Sequence, residues 1–276
     1  MNHVRMRRLY AALVCVMIAA ACSRQPEAEA VYRRHSITIA GSTSVMPFTE
    51  KLAEHFMLEH PNHVINVQAG GSTAGIQACL NGTVDIGMSS RELKPEEKKL
   101  HEIVICYDGI AVIVHPDNPI TSVSLSQVRD IFSGAVTNWK DLSWIDRHID
   151  AVTREEGSGT RGAFEELVMQ GAEINDGIMV QDSNGSVKEV VATDPYAIGY
   201  VSLGMVDTRV VAVMIDYVRP SVSTIMSKQY KIVRPFLYLT NGTPSGAAQQ
   251  FISYVLSKEG QKILQREGLI PINVNN

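Results

Sequence analysis

Three short loops of glycine and hydroxyl residues constrain this chain more than any other feature. They are Gly41-Ser42-Thr43-Ser44, Gly70-Gly71-Ser72-Thr73 and Gly157-Ser158-Gly159-Thr160. Each lies where a strand-like run gives way to a helix-like one. At such a switch the first backbone N–H groups of the helix lack an intrahelical acceptor, and the positive end of the helix dipole stands behind them. Glycine lets the backbone come close to a ligand, and serine or threonine adds a hydroxyl donor. One loop of this kind is a helix cap. Three of them, with Arg154 just ahead of the third, point to a site for a small oxyanion.

The pattern around the loops predicts an α/β protein. Residues 36–40 alternate like a strand, and Val45, Phe48, Leu52 and Phe56 then recur at helical spacing. Residues 64–69 form the next predicted strand, the second loop opens a short helix to Leu80, and residues 85–88 form a third strand closed by Ser89-Ser90-Arg91. Pro95 opens a predicted helix of mixed charge. This alternation implies a doubly wound sheet with its binding loops at the carboxyl ends of parallel strands.

Residues 102–115 make an extended run, interrupted by Asp108-Gly109, that is too long for an ordinary strand. It reads as a crossing from one lobe to another, and residues 197–203 read as the return. The resulting division is 36–111 with 202–276 as lobe 1 and 112–201 as lobe 2, joined by a two-segment hinge with the ligand in the cleft. The strands near 210–215 and 235–239, and the helices near 245–256 and 258–267, are assigned to lobe 1.

The first residues read as an address. Arg5, Arg7 and Arg8 precede an apolar run over 9–21 of about a dozen residues, which suits a signal segment and is short for a membrane span. Ala19-Ala20-Ala21-Cys22 is similar to the lipobox of bacterial lipoproteins. It implies a signal peptide over 1–21, a lipidated Cys22 as mature N-terminus and a tether over 22–35. Two acyl chains suffice for stable membrane attachment. The alternative is an ordinary signal cleaved after Ala21, with Cys22 incidental. The formal charge of −4 argues against a nucleic-acid surface. Cys79 and Cys106 read either as core residues or as a disulfide permitted by export.

Four segments in order carry a family resemblance: Ala40-Gly41-Ser42-Thr43-Ser44-Val45, Asp85-Ile86-Gly87-Met88-Ser89-Ser90-Arg91, Arg154-Glu155-Glu156-Gly157-Ser158-Gly159-Thr160-Arg161 and Tyr196-Ala197-Ile198-Gly199-Tyr200. Together they resemble the PstS-type substrate-binding proteins of bacterial phosphate ABC transporters. The resemblance implies a two-lobed type II periplasmic-binding-protein fold, with doubly wound mixed sheets, that closes on one inorganic phosphate and delivers it to a membrane permease. By position it implies phosphate contacts from Ser42, Thr43, Ser44, Ser72, Ser90, Arg154, Ser158, Gly159 and Thr160, with Glu156 orienting Arg154. Ser90 departs from family members that carry an aspartate there as acceptor for protonated phosphate. Ser90 itself, Glu155 or a backbone carbonyl remain as candidate acceptors. The signal segment and the lipobox-like run place the protein in the periplasm or at the cell surface, lipid-anchored, and a monomer with no cofactor or metal is expected.

Other readings are weaker. Residues 157–162 formally match G-x-G-x-x-G, with Asp182 placed like a ribose-binding acid, but the charged Arg154-Glu155-Glu156 intervenes between strand and first glycine. No general base stands beside a nucleophile, so binding without catalysis is expected. His55, His60 and His63 cluster at a helix end, but Pro61 breaks their register as metal ligands. Sulfate or molybdate binding by the same fold is the nearer alternative.

Overall fold

A computed structural model describes residues 35–272. The signal segment 1–21, Cys22 and all but the last residue of the tether lie outside the described residues. The chain begins with β1 (His35–Gly41), α1 (Met46–Glu59), β2 (His63–Ala69), α2 (Ser72–Leu80) and β3 (Ile86–Ser89). The long strand β4 (His101–Val114) leads to β5 (Ser122–Val123), α3 (Leu125–Ser133), β6 (Asp150–Arg154) and α4 (Gly159–Phe164). A π-helical turn, Glu165–Met169, precedes β7 (Met179–Gln181), α5 (Asn184–Thr193) and β8 (Ala197–Ser202). The last elements are β9 (Val211–Ala212), β10 (Met214–Ile215), α6 (Val222–Met226), β11 (Val233–Thr240), α7 (Gly246–Leu256), α8 (Lys258–Arg266) and β12 (Ile270–Pro271).

The main sheet runs β2-β1-β3-β11-β4-β8-β6-β7, with β9 and β12 also on β4. Its first half is parallel at β2-β1-β3 and antiparallel at β11. Its second half is parallel at β8-β6-β7. Strand β4 belongs to both: residues 101–109 pair with β11, and residues 110–114 pair with β8. The long extended run is thus one strand that serves two sheets, and Asp108-Gly109 falls where the partner changes.

Each half has its own apolar core. Ile39, Phe48, Leu52, Met88, Phe236 and Phe251 pack in the first. Val112, Phe132, Phe164, Ile198 and Tyr200 pack in the second. Fully burying one such side chain is worth about 1.5–3 kcal/mol. Local signals agree with these packings. Ser124 caps α3 by accepting from the Gln127 amide, and Gly134 ends it in the left-handed conformation.

Two expectations need correction. The mixed-charge helix after Pro95 is only a 3-10 turn, Pro95–Glu97, whose glutamate is tied to Arg91 by hydrogen bonds of 2.7 and 2.9 Å. The sequence assigns all of 202–276 to lobe 1, and this does not hold for Val210 to Ile232. Instead Val210, Val213, Ile215, Ile225, Tyr230 and Ile232 pack in the second-half cores. Strands β9 and β10 are short edge pieces, on β4 and β5, and the chain re-enters the first half only at β11. Cys79 and Cys106 are free buried thiols.

Candidate functional site

The carboxyl ends of four strands meet at one place: β1, β2 and β3 run parallel, and β6 runs against them from the second half. Strands β1, β2, β3 and β6 deliver, in turn, the loops at Ser42, Ser72, Ser90 and Ser158. Close backbone packing sets their spacing. A Cβ on Gly75 would lie 2.5 Å from the Ala40 carbonyl oxygen, and one on Gly41 would lie 2.3 Å from that of Met88. Only glycine at both positions lets α2 press onto the end of β1 and bring Ser72 beside Ser90.

The hydroxyls form two groups. Ser42 Oγ donates to Ser90 Oγ at 2.8 Å, and Ser90 Oγ lies 3.4 Å from Ser72 Oγ. The Ser90 amide donates to Ser72 Oγ at 3.1 Å. In the second group Ser44 Oγ meets Thr160 Oγ1 at 2.8 Å, across the two halves. The third loop sits directly on the first group: a Cβ on Gly159 would be 2.2 Å from Ser72 Oγ and 2.7 Å from Ser90 Oγ. The Thr73 amide donates to the Gly157 carbonyl at 3.1 Å, which closes the same seam. Ser42, Ser44, Ser72, Ser90, Arg154, Ser158 and Thr160 are all buried, and Thr43 is half-buried.

Ser158 Oγ accepts from the Arg161 amide at 3.2 Å, as the cap of α4. The amides of Thr43, Gly159 and Thr160 have no acceptor among the described residues. Beneath the turn, Tyr200 stacks on Phe164 at 3.9 Å and bonds Thr153 Oγ1 at 2.7 Å. Burial pushes its phenol up to about 12 against the opposing Thr153 bond, so it stays a neutral platform.

Arg154 reaches in from the end of β6. Its Nε and Nη2 fork onto Glu155 at 3.0 and 2.9 Å. Nη2 also donates to the Asp182 carbonyl at 3.0 Å and lies 3.2 Å from Thr43 Oγ1. Nη1 is buried and has no partner among the described residues. A buried guanidinium N–H without an acceptor is costly, so its direction marks where an anion fits. The orienting acid is Glu155, not Glu156, which is exposed. Strand alternation would put Glu156 on the side of Arg154, but β6 ends at Arg154 and the chain turns there, so the adjacent Glu155 folds back onto it instead.

Several residues of the site were not singled out in the sequence. Asn184, fully buried at the first turn of α5, donates from Nδ2 to Thr43 Oγ1 at 3.2 Å and to Ser44 Oγ at 2.8 Å. Arg234 donates to Ser44 Oγ at 3.1 Å and to the Ser90 carbonyl at 3.2 Å. Its counter-charge is Asp108 on β4, paired through Oδ2 at 2.9 and 3.1 Å, with Ser202 Oγ donating to Oδ1 at 2.9 Å. Burial pushes the Asp108 carboxyl up and the Arg234 guanidinium down, and their contact opposes both shifts. An arginine in the apolar strand 233–239 and an aspartate in the apolar run 103–114 were the available signals, because buried charges occur in pairs.

The chain's relatives agree with this geometry. Residues 25–259 match the profile of a PBP superfamily domain. The phosphate-binding protein PstS of Bacillus subtilis is 35% identical over 272 residues, which cover 93% of this chain and 90% of the relative. The phosphate-binding protein PstS of Borreliella burgdorferi is 29% identical, covering 86% of this chain and 90% of the relative. A crystal structure of a putative phosphate ABC transporter substrate-binding protein with bound phosphate, from Clostridium perfringens, superposes with a TM-score of 0.84. It is 41% identical, over 87% of this chain and 100% of that one. An ABC-type phosphate transport receptor from Vibrio cholerae follows at 0.72, with 35% identity over 86% of this chain and 100% of that one. Fold, loop order and relatives converge: the chain belongs to the PBP superfamily, among the PstS-type phosphate-binding proteins.

Proposed function

We propose that this protein captures one inorganic phosphate outside the cytoplasmic membrane and delivers it to the permease of an ABC transporter. The observation that carries the reading is Arg154 Nη1. It is a buried, unpartnered cationic donor on a side chain that reaches Thr43 of the first loop from just ahead of the third, whose Gly159 and Thr160 amides also lack acceptors among the described residues. A guanidinium with one edge held by Glu155 and the other turned inward suits a tetrahedral oxyanion, since arginine stays charged and binds in fixed directions. Ser42, Thr43, Ser44, Ser72, Ser90, Ser158, Gly159 and Thr160 line or support the same site, from both sheet halves. The halves would part about β4, β8 and the start of β11, and close on the anion. The role is binding without chemical change of the ligand.

Near neutral pH phosphate keeps a proton and sulfate does not, so a buried acceptor favours phosphate. Glu155 is a poor candidate because both of its oxygens are engaged by Arg154. Ser42 and Ser90 hydroxyls each retain acceptor capacity and carry no charge. Titration calorimetry with phosphate, sulfate, arsenate and molybdate tests the reading. One-site phosphate uptake, much tighter than sulfate, is expected; equal affinities or no phosphate uptake would refute it.

Cys22, lipidated as the mature N-terminus, would tether the monomeric protein to the membrane. Cys22→Ala is expected to release it into the soluble fraction of cells, and continued membrane association would count against the anchor. The G-x-G-x-x-G reading of residues 157–162 gains no support. Gly159 is packed against Ser72 and Ser90, and the Asp182 carboxylate accepts from Ser186 Oγ at 2.9 Å.

A further inference from the structure

We infer that Asn184 and Arg234 are positioning residues that fix which way the site's hydroxyls point, making Thr43 and Thr160 donors toward the anion. The inference rests on the phosphate reading above and adds residues and a device to it.

A hydroxyl has one proton to give and accepts two hydrogen bonds. Asn184 Oδ1 accepts from the Ser202 amide at 3.2 Å, which fixes the orientation of the side-chain amide and turns Nδ2 toward the loops. The two Nδ2 protons go to Thr43 Oγ1 and Ser44 Oγ. Arg154 Nη2 lies 3.2 Å from Thr43 Oγ1, but its two protons have nearer acceptors in Glu155 Oε1 and the Asp182 carbonyl. Both polar neighbours of Thr43 Oγ1, an amide NH2 and a guanidinium NH2, are donors with no lone pair to offer, so its own O–H is left to donate.

Ser44 Oγ likewise accepts twice, from Asn184 Nδ2 and from Arg234 Nη2 at 3.1 Å. Its proton must therefore go to Thr160 Oγ1, 2.8 Å away. Thr160, now an acceptor from Ser44, has its own proton free to donate. Two amide protons and one guanidinium proton thus set the sense of three hydroxyls. The wall formed by Thr43, Arg154 and Thr160 offers donors only. By contrast the Ser42 and Ser90 hydroxyls, to which neither Asn184 nor Arg234 donates, keep acceptor capacity on the other wall. A protonated phosphate oxygen is directed to the Ser42–Ser90 side, and the unprotonated oxygens to the donor wall. These bonds cross between the halves, so closure itself turns the hydroxyls toward the anion and leaves them no other arrangement.

A double-mutant cycle tests this by phosphate calorimetry on the full-length protein, freed from membranes in detergent. Asn184→Ala should raise the phosphate Kd about tenfold or more, as expected for losing orientation of two donors. In a Thr43→Val, Thr160→Val background, where no proton remains to orient, the same change should raise Kd by less than about twofold. Asn184→Asp keeps the shape and the Ser202 bond but accepts where asparagine donates. It should fold, with its ligand-free melting temperature near that of the parent, and should weaken phosphate more than alanine does. A full tenfold effect of Asn184→Ala in the valine background would assign Asn184 a packing role and overturn the inference. Parent-like affinity in Asn184→Asp would also overturn it. No uptake by the parent protein would overturn the phosphate reading and this inference together, whereas parent uptake with additive effects overturns only the latter.

Discussion

Arg154→Ala is the perturbation whose size follows most directly from the geometry. The side chain is 1% exposed, and its Nη1 faces the proposed anion with no other partner among the described residues. Removing it leaves a buried anion without its cationic partner, a loss of about 3–5 kcal/mol in comparable buried pairs. That corresponds to roughly 150-fold to several-thousand-fold in Kd. The fold should bear the loss better than the ligand does. Glu155, the residue left without its partner, has a side chain 33% exposed and can be solvated. Arg154→Lys keeps a positive charge but gives up the fork and its fixed directions. Its expected cost is one or two charge-assisted bonds, about 1.5–3 kcal/mol, or roughly 10- to 150-fold. Titration calorimetry on both variants, with ligand-free melting curves as the folding control, measures the order parent, lysine, alanine. Phosphate affinity of Arg154→Ala within threefold of the parent, in a folded protein, would refute the reasoning.

Three other changes probe separate parts of the account. Gly159→Ala places a methyl group 2.2 Å from Ser72 Oγ and 2.7 Å from Ser90 Oγ. The overpacking, about 1–3 kcal/mol, should appear as weaker phosphate binding with little change in ligand-free melting, and unaltered affinity would show that these loops do not meet in the bound form. Asp108→Asn removes the counter-charge of the buried Arg234 and should destabilise the protein by about 3–5 kcal/mol. At about 2–4 °C per kcal/mol the melting temperature should fall by roughly 6–20 °C, and an unchanged melting curve would contradict the pairing. At Glu97, burial raises the carboxyl, but the Arg91 fork and the Lys94 amide outweigh it and hold the folded pKa below its ordinary value. Its contribution to stability is therefore present above about pH 4.3, the ordinary glutamate value, and is lost as acid titrates it through the folded pKa. Glu97→Gln should lower stability at neutral pH and flatten the acid limb of the stability curve, whereas curves parallel to the parent's would sink the assignment.

The sequence carried the strand–loop–helix order because it rests on local periodicity and glycine placement. Gly41, Gly71 and Gly159 mark the loops whether or not their partners are known. The long β4 was legible from length alone. What the sequence did not disclose depends on contacts between distant segments. Val210 to Ile232 alternates and turns in a way compatible with either half, and only packing against Val112 and Tyr200 decides. The choice between Glu155 and Glu156 is a matter of which neighbour folds back in a single turn. Asn184 looks like an ordinary residue at a helix start, after the cap Ser183, until Thr43 and Ser44 are brought to it from 141 and 140 residues away. Asp108 and Arg234 were visible as charges in apolar strands, but their pairing is set by the antiparallel register of β4 and β11, which places Arg234 opposite Asp108. The helix expected after Pro95 gave way to a tertiary bond: Glu97 turns back to the buried Arg91 instead of continuing a helical turn.

The central claim is that one tetrahedral anion is held between the two sheet halves by Arg154 and the loop amides. A crystal structure grown with inorganic phosphate tests it most directly. The account predicts a single phosphate within hydrogen-bond distance of Arg154 Nη1, the Gly159 and Thr160 amides and the Thr43 and Thr160 hydroxyls. Phosphate bound elsewhere, or Arg154 Nη1 paired to protein or water with no anion beside it, would contradict it.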